Sequence, residues 1–123
     1  MRILIAEDNE VNRMVMQRML KRLGYHVDVA ANGLEALQAL ERQSYDLILM
    51  DIMMPELDGL EATKVIRQRW PADGPRIIAV TAYALEYSKT MCFDAGMDDY
   101  ISKPFQIEKL AEMVRKHSFL NRR

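Results

Sequence analysis

The segment Leu47-Ile48-Leu49-Met50-Asp51 decides the fold, because four apolar residues run without a break into an acid. Such an uninterrupted run over Leu47–Met50 is typical of a parallel strand that is covered on both faces. Similar short runs, the last one weaker, occur at Ile3–Ala6, Val27–Ala30, Ile77–Val80 and Tyr100–Ile101. In the second of these, apolar and polar residues alternate, which indicates an edge strand. We therefore predict five strands.

Segments with helical spacing separate and follow these strands. The residues predicted to face the core are Val11, Val15, Met16, Met19, Leu20 and Leu23 in the first helix, Leu34, Leu37 and Leu40 in the second, Leu60, Thr63 and Ile66 in the third, and Ile107, Leu110, Ala111 and Val114 in the last. The fourth helix is predicted over about residues 85–95 and ends before Gly96. The predicted helix boundaries are Asp8 or Asn9 and Gly24 for the first helix, Asn32 for the start of the second and Asp58 for the start of the third.

Strands and helices that alternate five times predict an α/β fold, with a parallel sheet between two layers of helices. The gaps between strands are long enough for crossover helices. Periodicity does not determine the order of the strands.

The composition describes one ordinary globular domain over residues 1–123. Half of the residues are hydrophobic and 28% are charged, and 17 basic against 18 acidic residues leave a net charge of −1. This balance predicts no general affinity for nucleic acid or for an anionic membrane. The single cysteine, Cys92, excludes an internal disulfide. With no signal peptide or membrane span in the pattern, we expect a soluble, cytoplasmic protein.

Polar residues follow four of the five predicted strands. Glu7 and Asp8 follow the first, Asp51 the third, Thr81 the fourth and Lys103 the fifth. In parallel α/β sheets, ligands bind beyond the carboxyl ends of the strands, so these side chains are expected at one edge.

Their chemistry fits a phosphoryl group and a divalent cation. Carboxylate ligands without histidine or cysteine suit Mg²⁺, and the metal would let a phosphoryl group approach an acid that otherwise repels it. Asp51, at the end of its aliphatic run, is the natural nucleophile, and Thr81 and Lys103 suit the phosphoryl oxygens. Each residue also has a simpler interpretation, as a helix cap, a turn residue or a strand residue. Their joint placement favours the chemical interpretation.

The chain resembles the receiver domain of two-component response regulators over essentially its whole length. The motifs that carry the resemblance are Ile3-Leu4-Ile5-Ala6-Glu7-Asp8-Asn9, Asp46 to Pro55 followed by Asp58-Gly59, Ile78-Ala79-Val80-Thr81-Ala82, and Ala95 to Phe105. The opening from Ala6 to Asn12 is most similar to receivers of hybrid sensor histidine kinases. The resemblance implies a flavodoxin-like doubly wound sheet in the order 2-1-3-4-5.

It also implies a role for each site residue. Asp51 would accept a phosphoryl group from a phosphohistidine donor, on a histidine kinase or a histidine phosphotransfer domain, and would lose it again by slow self-dephosphorylation. Mg²⁺ would be held by Asp8 and Asp51, by the Met53 backbone carbonyl, and through water by Glu7. The remaining implied roles are phosphoryl binding by Thr81, the Ala82 backbone N–H and Lys103, and a cis peptide bond before Pro104.

The expected output is a conformational switch on the face of helix four, strand five and helix five, where a downstream protein could bind. Thr81, Tyr100 and Pro104 would act as the switch residues, with an ordinary half-buried strand tyrosine as the alternative for Tyr100. Leu85, Tyr87 and Gln106 are further candidates on this face, and Met53 and Tyr83 would flank the approach of water to the acyl phosphate.

Three other functions are weighed against the switch. A phosphohydrolase of the haloacid dehalogenase type needs a second acid two residues after the nucleophile, where this chain has Met53. A flavodoxin-like flavin carrier needs a phosphate loop after the first strand, where Glu7 and Asp8 would repel the phosphate. A silent pseudo-receiver is disfavoured by the complete set of acids, threonine and lysine.

Overall fold

The computed structural model describes residues 1–82 and 89–120, with the side chains of residues 118–120 outside the description. Along the chain it has β1 (Arg2–Ala6), α1 (Glu10–Arg22), β2 (His26–Ala30), α2 (Gly33–Arg42), β3 (Leu47–Asp51), α3 (Gly59–Arg69), β4 (Arg76–Thr81), α4 (Lys89–Ala95), β5 (Asp99–Ser102) and α5 (Ile107–Leu120). The strands form one parallel sheet in the order β2-β1-β3-β4-β5. The predicted fold class and strand order are confirmed, and β2 is an edge strand as its alternation indicates.

The sheet buries both of its faces. One face packs against α2, α3 and α4 through residues that include Leu4, Ile48 and Ile77. The other face packs against α1 and α5 through residues that include Ile5 and Leu49. All five residues of β3 are buried, as the unbroken apolar run of this central strand predicts.

The helices begin where polar residues can satisfy free backbone N–H groups. The Asn9 side chain accepts from the Asn12 N–H, that of Asn32 from the Glu35 N–H, and that of Asp58 from the Glu61 N–H. Asn9, and not Asp8, therefore caps α1, so Asp8 remains available to the site.

Two predicted core positions in α1 and one in α2 are wrong. Val11 and Val15 are 66% and 45% exposed, while Met16 and Leu20 are buried against the sheet. The α1 sequence offers two adjacent apolar rows. The row of Met16 and Leu20 is buried, and the other row packs against the core only through Met19 and Leu23. Leu34 is also exposed, because α2 turns its neighbours Ala36 and Leu37 inward instead.

Arg67 links several elements at the end of the sheet opposite the carboxyl ends of the strands. Its Nε donates to the Gly96 carbonyl (2.8 Å), its Nη1 to the Pro75 carbonyl (2.7 Å) and its Nη2 to Asp98 Oδ2 (2.8 Å). Asp98 in turn accepts from the Ile77 N–H at 2.8 Å. One side chain of α3 thus links α4, β4 and the start of β5.

The helices of the described residues are either too short or too polar to cross a membrane. The observed α4 begins at Lys89, and the predicted first turn of this helix falls in residues 83–88, outside the described part. The predictions for Tyr83, Leu85 and Tyr87 concern residues in this part as well.

Candidate functional site

The register of β1 and β3 places two acids side by side at the carboxyl edge of the sheet. Ala6 is paired with Met50, so the next residues, Glu7 and Asp51, leave their strands together. The Glu7 side chain is 1% exposed and that of Asp51 is 8% exposed. Both carboxyl groups therefore occupy a largely desolvated pocket.

The register of β3, β4 and β5 adds a hydroxyl group and an ammonium group at the same edge. Asp51 is paired with Val80, which puts Thr81 one residue further out, and Thr81 is paired with Ser102, which puts Lys103 further out again. The Lys103 N–H also donates to the Thr81 carbonyl at 2.8 Å. The staggered strand ends thus bring the predicted acids, Thr81 and Lys103 to one edge.

Three carboxylates converge in this pocket. Glu7, Asp8 and Asp51 each offer an oxygen, and these oxygens all lie within 4.8 Å of one another. Asp8 is exposed to solvent, so it would meet an incoming cation first. The three acids line a cavity of about 700 Å³, together with residues that include Met53, Ala82 and Lys103. An all-oxygen donor set of this kind fits Mg²⁺.

Glu7 is held by contacts to each of its polar groups. Its backbone N–H donates to the Ala30 carbonyl (3.0 Å), and its backbone carbonyl accepts from Arg13 Nη1 (2.9 Å). Its carboxylate accepts from Lys103 Nζ at 2.6 Å and from the Asn9 N–H at 3.1 Å. Neither the backbone nor the side chain of Glu7 can shift without losing a contact.

The two buried acids differ in proton affinity. Burial raises the pKa of Asp51 to about 7, and the hydrogen bond to Glu7 and the negative charge of Glu7 act in the same direction. Burial also acts to raise the pKa of Glu7, but hydrogen bonds from Lys103, Asp51 and the Asn9 N–H outweigh it and leave that pKa below its ordinary value. The cause is geometric, because Lys103 Nζ is 2.6 Å from Glu7 but 3.7 Å from Asp51.

The other predicted residues lie around this centre. Thr81 is fully buried, Ala82 is exposed at the cavity, and Met53 is 45% exposed. The peptide bond between Lys103 and Pro104 is cis, as the resemblance implies. Tyr100 is 8% exposed and packs into the core on the α2–α4 face, so its ring is buried more deeply than that of a half-buried strand tyrosine.

Two residues outside the predicted set shape the site. Gly59, at the start of α3, lies so close to β3 that a Cβ atom there would sit 2.2 Å from the Asp51 carbonyl oxygen. Arg13 folds back from α1 to the Glu7 carbonyl. The sequence marks Gly59 through its place after the cap residue Asp58, whereas no local pattern indicates the contact of Arg13.

The chain belongs to the response regulator receiver domain family, whose model matches residues 3–115. It is similar to hybrid signal transduction histidine kinase K of Dictyostelium discoideum, with 45% identity over 98% of this chain. It is also 39% identical to histidine kinase 5 of Arabidopsis thaliana over 94% of this chain. The chain spans only 11% and 15% of the lengths of these two relatives.

Solved receiver structures share the fold. The receiver domain of a sensor histidine kinase from Pseudomonas aeruginosa is 44% identical with a TM-score of 0.85, covers 94% of each chain, and has a magnesium ion coordinated in its active site cleft. A CheY-like receiver domain protein from Methanospirillum hungatei is 30% identical with a TM-score of 0.89, over 98% of this chain and 95% of that one. The family is one of signalling switches, which disfavours the phosphohydrolase and flavin-carrier alternatives.

Proposed function

We propose that Asp51 is the phosphoacceptor of a two-component phosphorelay, and that its phosphorylation is Mg²⁺-dependent and switches the domain between two conformations. The observation that carries this proposal is the convergence at Asp51. Two further carboxylates have oxygens within 4.8 Å of one of its own, and the Lys103 ammonium is 3.7 Å away. Membership of the receiver family and the similarity to hybrid histidine kinases support it.

The residues present fit a magnesium ion. Asp8 and Asp51 would bind it through carboxylate oxygens and Met53 through its backbone carbonyl, while Glu7, already paired with Lys103, would contact it through water. When bound, Mg²⁺ would offset the negative charge of the acids and of the approaching phosphoryl group.

The chemical step is a phosphoryl transfer. A carboxylate oxygen of Asp51 attacks the phosphorus of a phosphohistidine, the P–O bond forms as the P–N bond breaks, and the leaving imidazole nitrogen takes up a proton. Hydrolysis reverses the transfer: water attacks the phosphorus, the P–O bond to Asp51 breaks, the Asp51 carboxylate is restored, and inorganic phosphate leaves with the protons of the water. In this proposal the domain catalyses only its own phosphorylation and dephosphorylation.

The phosphoryl oxygens would be held by the Thr81 hydroxyl, the Ala82 N–H and the Lys103 ammonium. Lys103 would have to shift from Glu7, 2.6 Å away, toward the new charge on Asp51. That shift, with Thr81, Tyr100 and cis-Pro104 as switch elements, would change the face formed by α4, β5 and α5.

The donor would be a histidine kinase or a histidine phosphotransfer domain, and the output would pass to a downstream protein through the α4–β5–α5 face, where Gln106 is exposed. Direct binding of nucleic acid is not part of the proposal, because the net charge of −1 gives no general attraction to it. We further propose that residues 1–123 form a single domain and that it works in the cytoplasm, in keeping with its single, reduced cysteine.

The test is phosphorylation with acetyl phosphate and Mg²⁺, read by intact-protein mass spectrometry. We expect one base-labile phosphoryl group on the wild-type protein, none on Asp51→Asn, and none after chelation of the metal. Asp94→Asn, an exposed acid on α4, is the matched control and should be labelled like the wild type. Labelling that persists in Asp51→Asn, or that ignores chelation, would remove Asp51 from the central role.

A further inference from the structure

We propose that Arg13 is a positioning residue that holds the loop after β1, and with it Asp8, in the geometry that a divalent cation requires. The inference rests on the proposed function, because it assigns a task within the same metal site. Arg13 is not among the residues that line the cavity: its guanidinium reaches the backbone of the loop, where Nη1 donates to the Glu7 carbonyl at 2.9 Å.

The loop between β1 and α1 is short and supplies two of the three acids. Its first residue, Glu7, follows the last paired residue of β1, and its last residue, Asn9, caps α1. Asp8 lies between them and is exposed, so the position of its carboxylate depends on the two peptide groups that flank it. The contact from Arg13 fixes the carbonyl of the first of these peptide groups.

The contacts of Glu7 do not all survive the proposed reaction. The contact from Lys103 Nζ at 2.6 Å is broken if this ammonium moves to a phosphoryl group on Asp51. The backbone contacts to the Ala30 carbonyl and from Arg13 involve no group that takes part in the transfer. Arg13 therefore keeps the loop in place in both states of the switch.

The guanidinium is suited to this task by its position on α1. The Arg13 N–H donates to the Asn9 carbonyl at 2.9 Å in the first turn of the helix, and the side chain extends back from there to Glu7. The same residue thus joins the beginning of α1 to the end of β1 through backbone and side chain.

The experiment compares Mg²⁺ binding, measured by isothermal titration calorimetry, in the wild-type protein, Arg13→Gln, Arg13→Lys and Arg18→Gln. Arg18 lies on the same helix and is exposed, and it has no hydrogen bond or ion pair among the described residues, so its substitution removes the same charge without touching the loop. Thermal unfolding without metal and hydrogen exchange of the Asn9 amide, which donates to Glu7, complete the set.

We expect Arg13→Gln to bind Mg²⁺ about tenfold more weakly, the lower end of the usual loss when a group supporting a metal ligand is removed. The Asn9 amide should exchange faster in this variant, already without metal. Arg13→Lys keeps a donor and should recover part of the affinity, and Arg18→Gln should bind like the wild type.

Three results would overturn the inference. Arg13→Gln could bind Mg²⁺ like the wild type, Arg18→Gln could lose as much affinity, which would indicate a general charge effect, or Arg13→Gln could fail to fold, which would indicate a role in the whole fold. In each of these cases a wild-type protein that binds Mg²⁺ and is labelled at Asp51 leaves the proposed function intact. A wild-type protein that binds no Mg²⁺ would defeat the proposed function itself.

Discussion

Lys103 Nζ lies 2.6 Å from Glu7 Oε1 and 3.7 Å from Asp51 Oδ2, so the ammonium group pairs with the acid that does not accept the phosphoryl group. Glu7 is thereby kept ionised, and Asp51 retains a proton that its desolvated position favours. Without a cation, Asp51, the proposed nucleophile, is therefore partly protonated near pH 7. A divalent cation would displace the proton of Asp51, and a phosphoryl group would attract Lys103 away from Glu7.

Magnesium affinity should consequently depend on pH. Because burial and Glu7 raise the pKa of Asp51 to about 7, binding through its carboxylate must release a proton below that pH. We expect the apparent affinity to fall about tenfold for each pH unit below 7 and to level off above it. Calorimetry in two buffers of different ionisation enthalpy counts the released proton, and an affinity that is flat between about pH 5 and 7 would contradict the assignment.

Asp51→Asn should stabilise the metal-free protein at alkaline pH. Since the pKa of Asp51 is raised from 3.8 to about 7, the folded state binds more protons than the unfolded state between these values, and stability falls as pH rises through this window. The variant removes that loss. We expect its free energy of unfolding at about pH 8 to exceed the wild-type value by about 1 kcal/mol or more, the equivalent of one pKa unit.

Urea denaturation at about pH 8 and pH 4 checks this prediction, with Asp94→Asn as the control for removing an exposed acid. The stabilisation should shrink toward the lower pH, where Asp51 is protonated in the folded state and partly protonated in the unfolded state. Equal gains at both pH values would mean that the effect does not come from the ionised carboxylate.

Gly59→Ala should damage the site through the backbone. The added Cβ atom would lie 2.2 Å from the Asp51 carbonyl oxygen and 2.9 Å from Ile52 Cα, so α3 and the end of β3 must move apart. We expect a loss of about 3 kcal/mol in the free energy of unfolding, at the upper end for overpacking, and less labelling of Asp51 by acetyl phosphate.

Gly24→Ala is the matched comparison for this glycine. Gly24 has a φ of +94° and open space around it, so alanine there meets only backbone strain, about 1–2 kcal/mol. It should leave the labelling of Asp51 unchanged. If both variants lost labelling equally, reduced stability alone would explain the effect of Gly59→Ala.

The contact of α5 with β5 should fail at acid pH. His117 Nε2 lies 2.8 Å and Lys116 Nζ 3.1 Å from Asp99 Oδ2. Burial acts to raise the pKa of Asp99, but the hydrogen bonds from His117, the Tyr100 N–H and Lys116 outweigh it, so the pKa is lowered. The stabilisation is therefore present above 3.8, the ordinary pKa, and is lost as pH falls through the lower folded value.

Asp99→Asn should lower the free energy of unfolding at pH 7 by about 2 kcal/mol, because charge-assisted hydrogen bonds of a buried group are lost. The difference from the wild type should narrow as the pH falls below 3.8 and through the lowered pKa of Asp99. Urea denaturation measures both values, and Asp94→Asn should change neither. A difference that stays constant down to low pH would argue against the ionic contact.

The sequence predicts the fold and the centre of the site because both depend on signals that are local in the chain. The unbroken apolar run ending at Asp51 gives a central strand, and the exits of four parallel strands must meet at one edge. The register that puts Glu7 beside Asp51 follows once the strand order is known. That order is implied by the resemblance to receiver domains, since periodicity does not determine it.

The errors in the predicted core positions lie where the sequence allows either of two helix faces to be buried. In α1 the rows through Val15 and through Met16 are both apolar, and only packing against the sheet decides which of their residues are buried. The contacts of Arg13 with Glu7 and of Arg67 with Gly96 join residues whose spacing follows no helix or strand period. Such contacts need the folded backbone before they can be identified.

The contacts of Arg67 affect which substitutions this protein can tolerate. Arg67 ties three elements at the end of the sheet away from Asp51, through two contacts to backbone carbonyls and an ion pair with Asp98. At the carboxyl end of the sheet, Lys103 lies between Glu7 and Asp51 and can change its ionic partner. Substitutions at the carboxyl ends of the strands can therefore change the chemistry of the site while the contacts of Arg67 preserve the architecture.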